Sequence, residues 1–343
     1  MTTVTEAPMA ALRASFTALA TQALGVLYQH RAMTTDQLHQ LLTPAAKRPV
    51  YLRRELKRLL DAGLVDRLWA QYVEAAETPD IPAQAMSDRQ RKQAPLNTPY
   101  LWFLTEAGAE TVEQGGEAMP RPYRVTPESA AGSRQLHTRA VNDTGLAFVR
   151  HAARLGHECG PLDWMPEVAH RIRDGQRRFE DDHVITDAVL NYVDTTRGQR
   201  LMSTTFIEVD RATMPTALLA AKIAAYGRLH EYVPQHPDRA RRSAASSRPD
   251  WQYTYPVFPR LLVILDGKRT PTLASRLASR TEDLYALTRA DPRLARLAAS
   301  LSVGVTTLQQ LQQHGPFAPI FTPLLRGTPE KRPPLTNLYL KTQ

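Results

Sequence analysis

Apolar residues at Phe16, Leu19, Ala20, Ala23, Val26 and Leu27 recur at spacings of three and four, which predicts an amphipathic helix ending near His30. Thr34 then precedes Gln37 by three residues, the spacing of a capping box, and opens a short helix that buries Leu38, Leu41 and Leu42. A third helix is predicted from about Val50 to Ala62, with Leu52, Leu56, Leu59 and Leu60 inward and Gly63 as its C-terminal stop. Alternation over Leu64–Tyr72 and the apolar stretch Tyr100–Leu104 predict two paired strands, and Thr105 caps a closing helix from Glu106 onward. Helix, helix, helix, hairpin, helix is the order of a winged helix–turn–helix domain, in which Ala75–Pro99 would be an oversized wing tip.

The pattern resumes at Arg134 with a helix whose apolar face is Leu136, Ala140, Val141, Leu146, Phe148 and Val149. A short strand is expected around Leu162 and Trp164, then two clearer ones at His183–Tyr192 and Leu201–Asp210. A long helix follows from about Thr213 to Tyr232. Leu261–Leu265 is a continuous apolar run, as in a strand covered on both faces, and a helix at Thr272–Arg289 and a last strand at Ser302–Thr306 complete the series. The order implies a mixed sheet flanked by helices, so the chain as a whole reads as α+β to α/β. Low hydrophobicity and proline content mark Ala75–Pro99, Gly115–Ser133 and Pro234–Pro256 as linkers or insertions. The expected organisation is a winged helix over 12–115, a linker over 116–133, an α/β domain over 134–325 and a tail over 326–343.

Composition narrows the setting. With 343 residues there is enough chain for two cores, and 43% hydrophobic with 22% charged residues is ordinary for a soluble globular protein. No apolar run approaches a membrane span, and no signal peptide is apparent at the start, so a cytoplasmic location is expected. One cysteine, Cys159, excludes an internal disulfide framework and a cysteine-built zinc site. The net charge of +9, from 43 Lys+Arg against 34 Asp+Glu, favours a polyanionic partner. There is no P-loop, no Gly-x-Ser-x-Gly elbow and no histidine–hydrophobe–histidine cluster.

Two constellations carry candidate chemistry. The outer side of the third helix holds Arg53, Arg54, Lys57 and Arg58, preceded by Lys47 and Arg48, and the wing adds Arg89, Arg91 and Lys92. A basic helix in this position suits the major groove of double-stranded DNA, where Arg and Lys meet phosphates and guanine edges. The plainer alternative is a solvated face, or a docking face for protein. In the second half the element order matches the core of the restriction-endonuclease-like fold, in which an acid on the second core strand and an acid-x-lysine pair on the third converge on a divalent metal. Asp187 sits on the second strand here, and Glu208 and Asp210 share a face of the third, giving Asp187, Glu208 and Asp210 as candidate ligands of Mg²⁺ or Mn²⁺. Asp210 occupies the lysine position, so Arg211 or Lys222 would supply the cation, and Lys222 and Tyr226 fall on one helix face. Each acid equally suits a turn, a cap or a salt bridge, and Lys222 and Tyr226 equally suit a half-buried helix face.

The stretch Phe206-Ile207-Glu208-Val209-Asp210-Arg211-Ala212-Thr213, with Lys222-Ile223-x-x-Tyr226 and Leu136-His137-Thr138-Arg139-Ala140-Val141-Asn142-Asp143, resembles the actinobacterial replication-relaxation family over about Ala23 to Asp266. Ala212 departs from it where glycine is expected. The resemblance implies a DNA-binding protein of a plasmid or mobile element, acting in replication initiation or DNA transfer with other such proteins. A metal-dependent endonuclease or nickase using Asp187, Glu208, Asp210 and Lys222 is the alternative. A winged-helix repressor whose second domain dimerises is a third.

Overall fold

Helix α1 (Ala18–His30) begins where the Ala20 amide donates to the Thr17 hydroxyl at 3.2 Å. The computed structural model describes residues 16–69, 100–116, 120, 124–131, 134–175, 178–234, 248–327 and 333–340. The fold is mixed α+β, with a three-stranded sheet and a six-stranded mixed sheet. The chain divides into two compact units, 1–146 and 147–343, and the division falls inside a single 22-residue helix.

In the first unit, β1 (Ala32–Thr34) leads into α2 (Thr35–Leu42) through the expected capping box: the Gln37 amide donates to the Thr34 hydroxyl, and the Gln37 side chain accepts from the Thr34 amide. Helix α3 (Val50–Asp61) buries Leu52, Leu56 and Leu59. Strands β2 (Val65–Trp69) and β3 (Tyr100–Leu104) pair antiparallel, and β1, which the sequence pattern did not reveal, pairs with the other edge of β3. Helix α4 (Glu106–Gln114) is capped by Thr105 as expected. Arg67 is buried on β2, its guanidinium 3.9 Å from the centre of the Tyr100 ring, which replaces hydration with a cation–π contact. After α5 (Pro127–Ala131), helix α6 (Arg134–Leu155) ties its first turns to this unit. Gln37 donates to the Arg139 carbonyl and the Asp143 carboxylate, and Asn142 donates to the Ala32 carbonyl. Ala130 and Leu136 join the same core, so its apolar surface continues past the stretch 116–133.

In the second unit, β4 (Trp164–Arg171), β5 (His183–Asp194), β6 (Leu201–Asp210), β7 (Arg260–Leu265), β8 (Val303–Thr307) and β9 (Thr322–Pro323) lie side by side in chain order. The β4–β5, β5–β6 and β8–β9 pairs are antiparallel, and β6–β7–β8 is parallel. The parallel crossovers are made by α8 (Thr216–Glu231) and by α9 (Leu273–Ala290) with α10 (Pro292–Leu297). These helices cover one face of the sheet through Leu219, Ile223, Leu277, Leu284 and Leu294, packed on Phe206, Leu261, Val263 and Leu265. Three α-helices and one strand escaped the sequence pattern because they are too short to show a period: α7 (Phe179–Asp182), α10, α11 (Leu308–His314), and β9, which follows the strand expected to be the last. Within the stretch expected as a tail, Leu338 and Leu340 are buried, and the Tyr339 hydroxyl donates to Asp194 at 2.5 Å. Among the described residues no helix is long and apolar enough to cross a membrane.

Gly108 marks the tightest contact of the first unit: a Cβ built there meets the Leu64 carbonyl oxygen at 1.9 Å and its carbon at 2.9 Å. Backbone cannot swing aside as a side chain does. Gly108→Ala is therefore expected to destabilise the first unit by about 2 kcal/mol, despite alanine's better helix propensity. Urea unfolding followed by circular dichroism measures this, and an unchanged or higher midpoint would contradict the contact.

Candidate functional site

Alternation along β6 turns Phe206, Glu208 and Asp210 toward the helical layer. Glu208 is 1% exposed there, and two side chains of α8 meet its carboxylate. Lys222 Nζ contacts Oε2, and the Tyr226 hydroxyl donates to Oε1. Because Lys222 and Tyr226 are four apart, one face of α8 presents both.

Asp187 joins them from β5, because the β5–β6 register continued one step past Ala188 and Ile207 sets it opposite Glu208, and an irregularity of β5 brings Thr186 in beside it. The β4–β5 register pairs Pro166 with Ala188 and Val168 with Thr186, passing over Glu167 and Asp187, and the β5–β6 register begins at Ala188. Glu167 takes φ +56°, a left-handed conformation that a non-glycine residue adopts only at some cost. In a regular strand Thr186 and Asp187 would point to opposite faces. Here both reach α8: the Tyr226 and Thr186 hydroxyl oxygens are hydrogen-bonded at 3.0 Å, and Lys222 Nζ lies 3.1 Å from Asp187 Oδ1. Asp187 Oδ2 accepts from the Val209 amide at 2.8 Å, which fixes the carboxylate's other oxygen. Strand irregularities of this kind commonly re-aim side chains at sites.

Complete burial, and then the neighbouring Asp187, push the Glu208 carboxyl well above the usual carboxylate range. Burial pulls the Lys222 ammonium down, but Glu208 and Asp187 outweigh it and hold Lys222 charged beyond its ordinary range. Behind the acids a hydrogen-bonded chain continues from Thr186 to His170 Nδ1 (3.2 Å), and from His170 Nε2 to the Tyr255 hydroxyl (2.8 Å). Burial lowers His170 to about 4, so this ring is neutral at pH 7.

Asp210 is seated apart from that trio. Its carboxylate takes Arg280 from α9 and accepts from the Ala212 amide at 3.1 Å, while Arg280 also donates to the Met214 carbonyl at 2.7 Å. The turn leaving β6 is thereby clamped to α9. Arg211, the other cation considered, lies 3.7 Å from Asp266. The structure thus brings Asp187, Glu208 and Lys222 together and gives Asp210 a different partner. Among the described residues no group of three His, Cys, Asp or Glu side chains is placed to hold a metal. Two carboxylate oxygens nevertheless aim at one cationic position, now filled by Lys222, whose side chain is 30% exposed. That is a donor set of the hard-oxygen type Mg²⁺ or Mn²⁺ uses when waters and a phosphate complete its shell. The fit is through Asp187 and Glu208.

On α3 the basic residues divide by partner. Lys57 pairs with Asp61 at 2.6 Å and Arg58 with the buried Glu55 at 3.1 Å, whereas Lys47, Arg48 and Arg54 are exposed, and Arg53 is half-buried. The exposed Lys57–Asp61 pair is weak and salt-screened, so Lys57 stays available to a stronger anion, whereas Arg58 is held to a buried acid. Tyr51, 54% exposed, stands on the same outward face as Arg54 and Arg58, a feature read past in the sequence because tyrosine suits a core equally. Arg89, Arg91 and Lys92 lie outside the described residues. Arg280, 70 residues downstream of Asp210, left no local signal to find it by.

Ala212 takes φ +56°, which is the reason a glycine suits that position. Its methyl is half-buried against the helical core, which offsets the strain. Ala212→Gly is expected to change stability by less than about 1 kcal/mol, while Ala212→Val, β-branched at positive φ, costs about 2 kcal/mol. Comparing urea midpoints of the two variants tests this, and equal effects would refute the left-handed turn.

The profile of the replication-relaxation family matches residues 24–241, more than half of the chain. No curated protein and no solved structure matches it.

Proposed function

Because the chain belongs to the replication-relaxation family, we propose that it is a cytoplasmic DNA-processing protein of a plasmid or other mobile element, which acts in replication initiation or transfer. In this reading the first unit is a winged helix that holds duplex DNA through α3, with Lys47, Arg48, Arg53 and Arg54 on phosphates and base edges. The second unit is a restriction-endonuclease-like domain that breaks one strand. The observation that carries the second half is the meeting of Asp187, Glu208 and Lys222 at one partly exposed point.

Asp187 and Glu208 would hold a Mg²⁺ or Mn²⁺ ion, which when bound neutralises phosphate charge and activates water. Lys222 replaces the lysine that the acid-x-lysine pattern places on the strand, reaching the same acids from α8. Its ammonium is held charged, so it can stabilise a phosphate whose negative charge grows in the transition state. Tyr226 fixes the orientation of Glu208, and the Val209 amide that of Asp187.

A supercoiled-plasmid assay with Mn²⁺ tests the reading. Wild type is expected to nick, and Glu208→Ala and Lys222→Ala to lose activity by about 100-fold or more. Arg48→Ala combined with Arg54→Ala is expected to flatten the salt dependence of DNA binding by about 2 in log–log slope. Full nicking by Glu208→Ala would remove the assigned site. Binding without nicking under any metal would leave a DNA-binding factor whose second unit assists assembly or regulation.

A further inference from the structure

The carboxylates around the C-terminal ends of β6 and β7 are each paired with a neighbouring cation. Asp187 and Glu208 share Lys222, Asp210 takes Arg280, and Asp266 takes Arg211. Four acids against three cations leave these pairs with one acid in excess, which does not attract a polyanion. A strand of DNA brought to Lys222 needs positive charge from elsewhere.

Such charge lies on the loop that follows β7 and on the first turn of α9. Lys268, Arg269 and Arg276 are all exposed, and among the described residues their side chains make no ion pair or hydrogen bond. Most cations around them are committed to acids, as Arg280 and Arg211 are. The loop is seated against the turn leaving β6: a Cβ added to Gly267 would lie 3.6 Å from the Arg211 carbonyl oxygen and 3.9 Å from Ala212 Cβ. Glu208 pairs in register with Val263, and Lys268 is five residues further along. The chain between them can span at most about 18 Å. Along one strand of B-DNA, with a phosphate every 3.4 Å of rise, that is about five phosphates. Open α/β sheets place their ligands at this end of the parallel strands.

We propose that Lys268, Arg269 and Arg276 form a phosphate-backbone contact that leads a DNA strand over the edge of the sheet to Lys222. This rests on the DNA-processing reading above, and adds a second binding surface to the one on α3. The contact reads charge and not sequence, since exposed lysine and arginine on a backbone carry no base information.

The test uses the full chain and fluorescence anisotropy against a labelled single strand and a labelled duplex, titrated with salt. Removing three phosphate contacts in Lys268→Ala/Arg269→Ala/Arg276→Ala is expected to flatten the log–log slope by about 2 to 3, at about 0.9 per contact for duplex and 0.7 for a single strand. The charge-keeping variant Lys268→Arg/Arg269→Lys/Arg276→Lys is expected to retain the wild-type slope. All three residues are exposed and unpaired, so thermal midpoints should match wild type. A wild-type slope in the alanine variant, with the Arg48/Arg54 variant still impaired, would overturn this surface and leave the DNA reading standing. Absence of DNA binding by wild type would overturn both. The relative loss on single strand and duplex tells which form crosses the edge.

Discussion

A carboxyl group buried to 1% exposure constrains much of the second unit. Removing one partner from a buried ion pair costs roughly 3–5 kcal/mol, because the charge left behind has neither water nor counter-ion. Glu208 is in that position on β6, and both of its partners come from a single helix. Lys222 and Tyr226 reach it only if α8 is rotated with that face down, which in turn lays Leu219, Ile223 and Leu229 on the sheet. The helix's docking angle is therefore set by polar as well as apolar contacts. Lys222 also needs Asp187, which the antiparallel register of β5 and β6 sets opposite Glu208 on the same face. One buried acid thus links the register of β5, the orientation of α8 and the environment of the lysine.

The next acid on the same face shows a different solution. Asp210 sits at the end of β6, where the chain must turn sharply into α8, and its carboxylate binds the Ala212 amide inside that turn. Arg280 then joins Asp210 to the Met214 carbonyl, so α9 holds the turn from the far side. Glu208 is held by the helix that follows its strand, and Asp210 by the helix after the next strand. Their two-residue spacing gives them a common face but not a common partner. This separates an acid suited to chemistry from one suited to holding the scaffold.

Much of this was legible in the sequence, for physical reasons that differ by element. Long periodic segments such as α1, α3, α8 and α9 declared themselves because one stripe of each must be buried, and Thr34 with Gln37 marked a helix start by hydrogen-bond geometry alone. The expectation that Glu208 and Asp210 share a face followed from strand alternation, and that Lys222 and Tyr226 do so from helical spacing. What could not be read is what depends on contacts far apart in the chain. Arg280 is one of three arginines in α9, between Ser279 and Thr281, and nothing near it indicates Asp210. The pairing of β1 with β3 joins three residues to a strand almost 70 positions away. The interruption of β4–β5 pairing at Glu167 and Asp187 joins positions 20 residues apart.

The two basic surfaces differ in the way their cations are kept, and the difference suits different tasks. On α3 two of the cations are held in i,i+3 and i,i+4 pairs, Arg58 to the buried Glu55 and Lys57 to the exposed Asp61, which pre-order long side chains. On the proposed reading, a surface arranged in this way would favour a defined register on DNA. Lys268 and Arg269 sit on a loop with no internal partner, where their long stems remain adaptable. Adaptable cations suit a backbone that has to move past them. Beside an acidic site with one carboxylate in excess, that adaptability is what, on the proposed reading, would let a strand be drawn in without being locked.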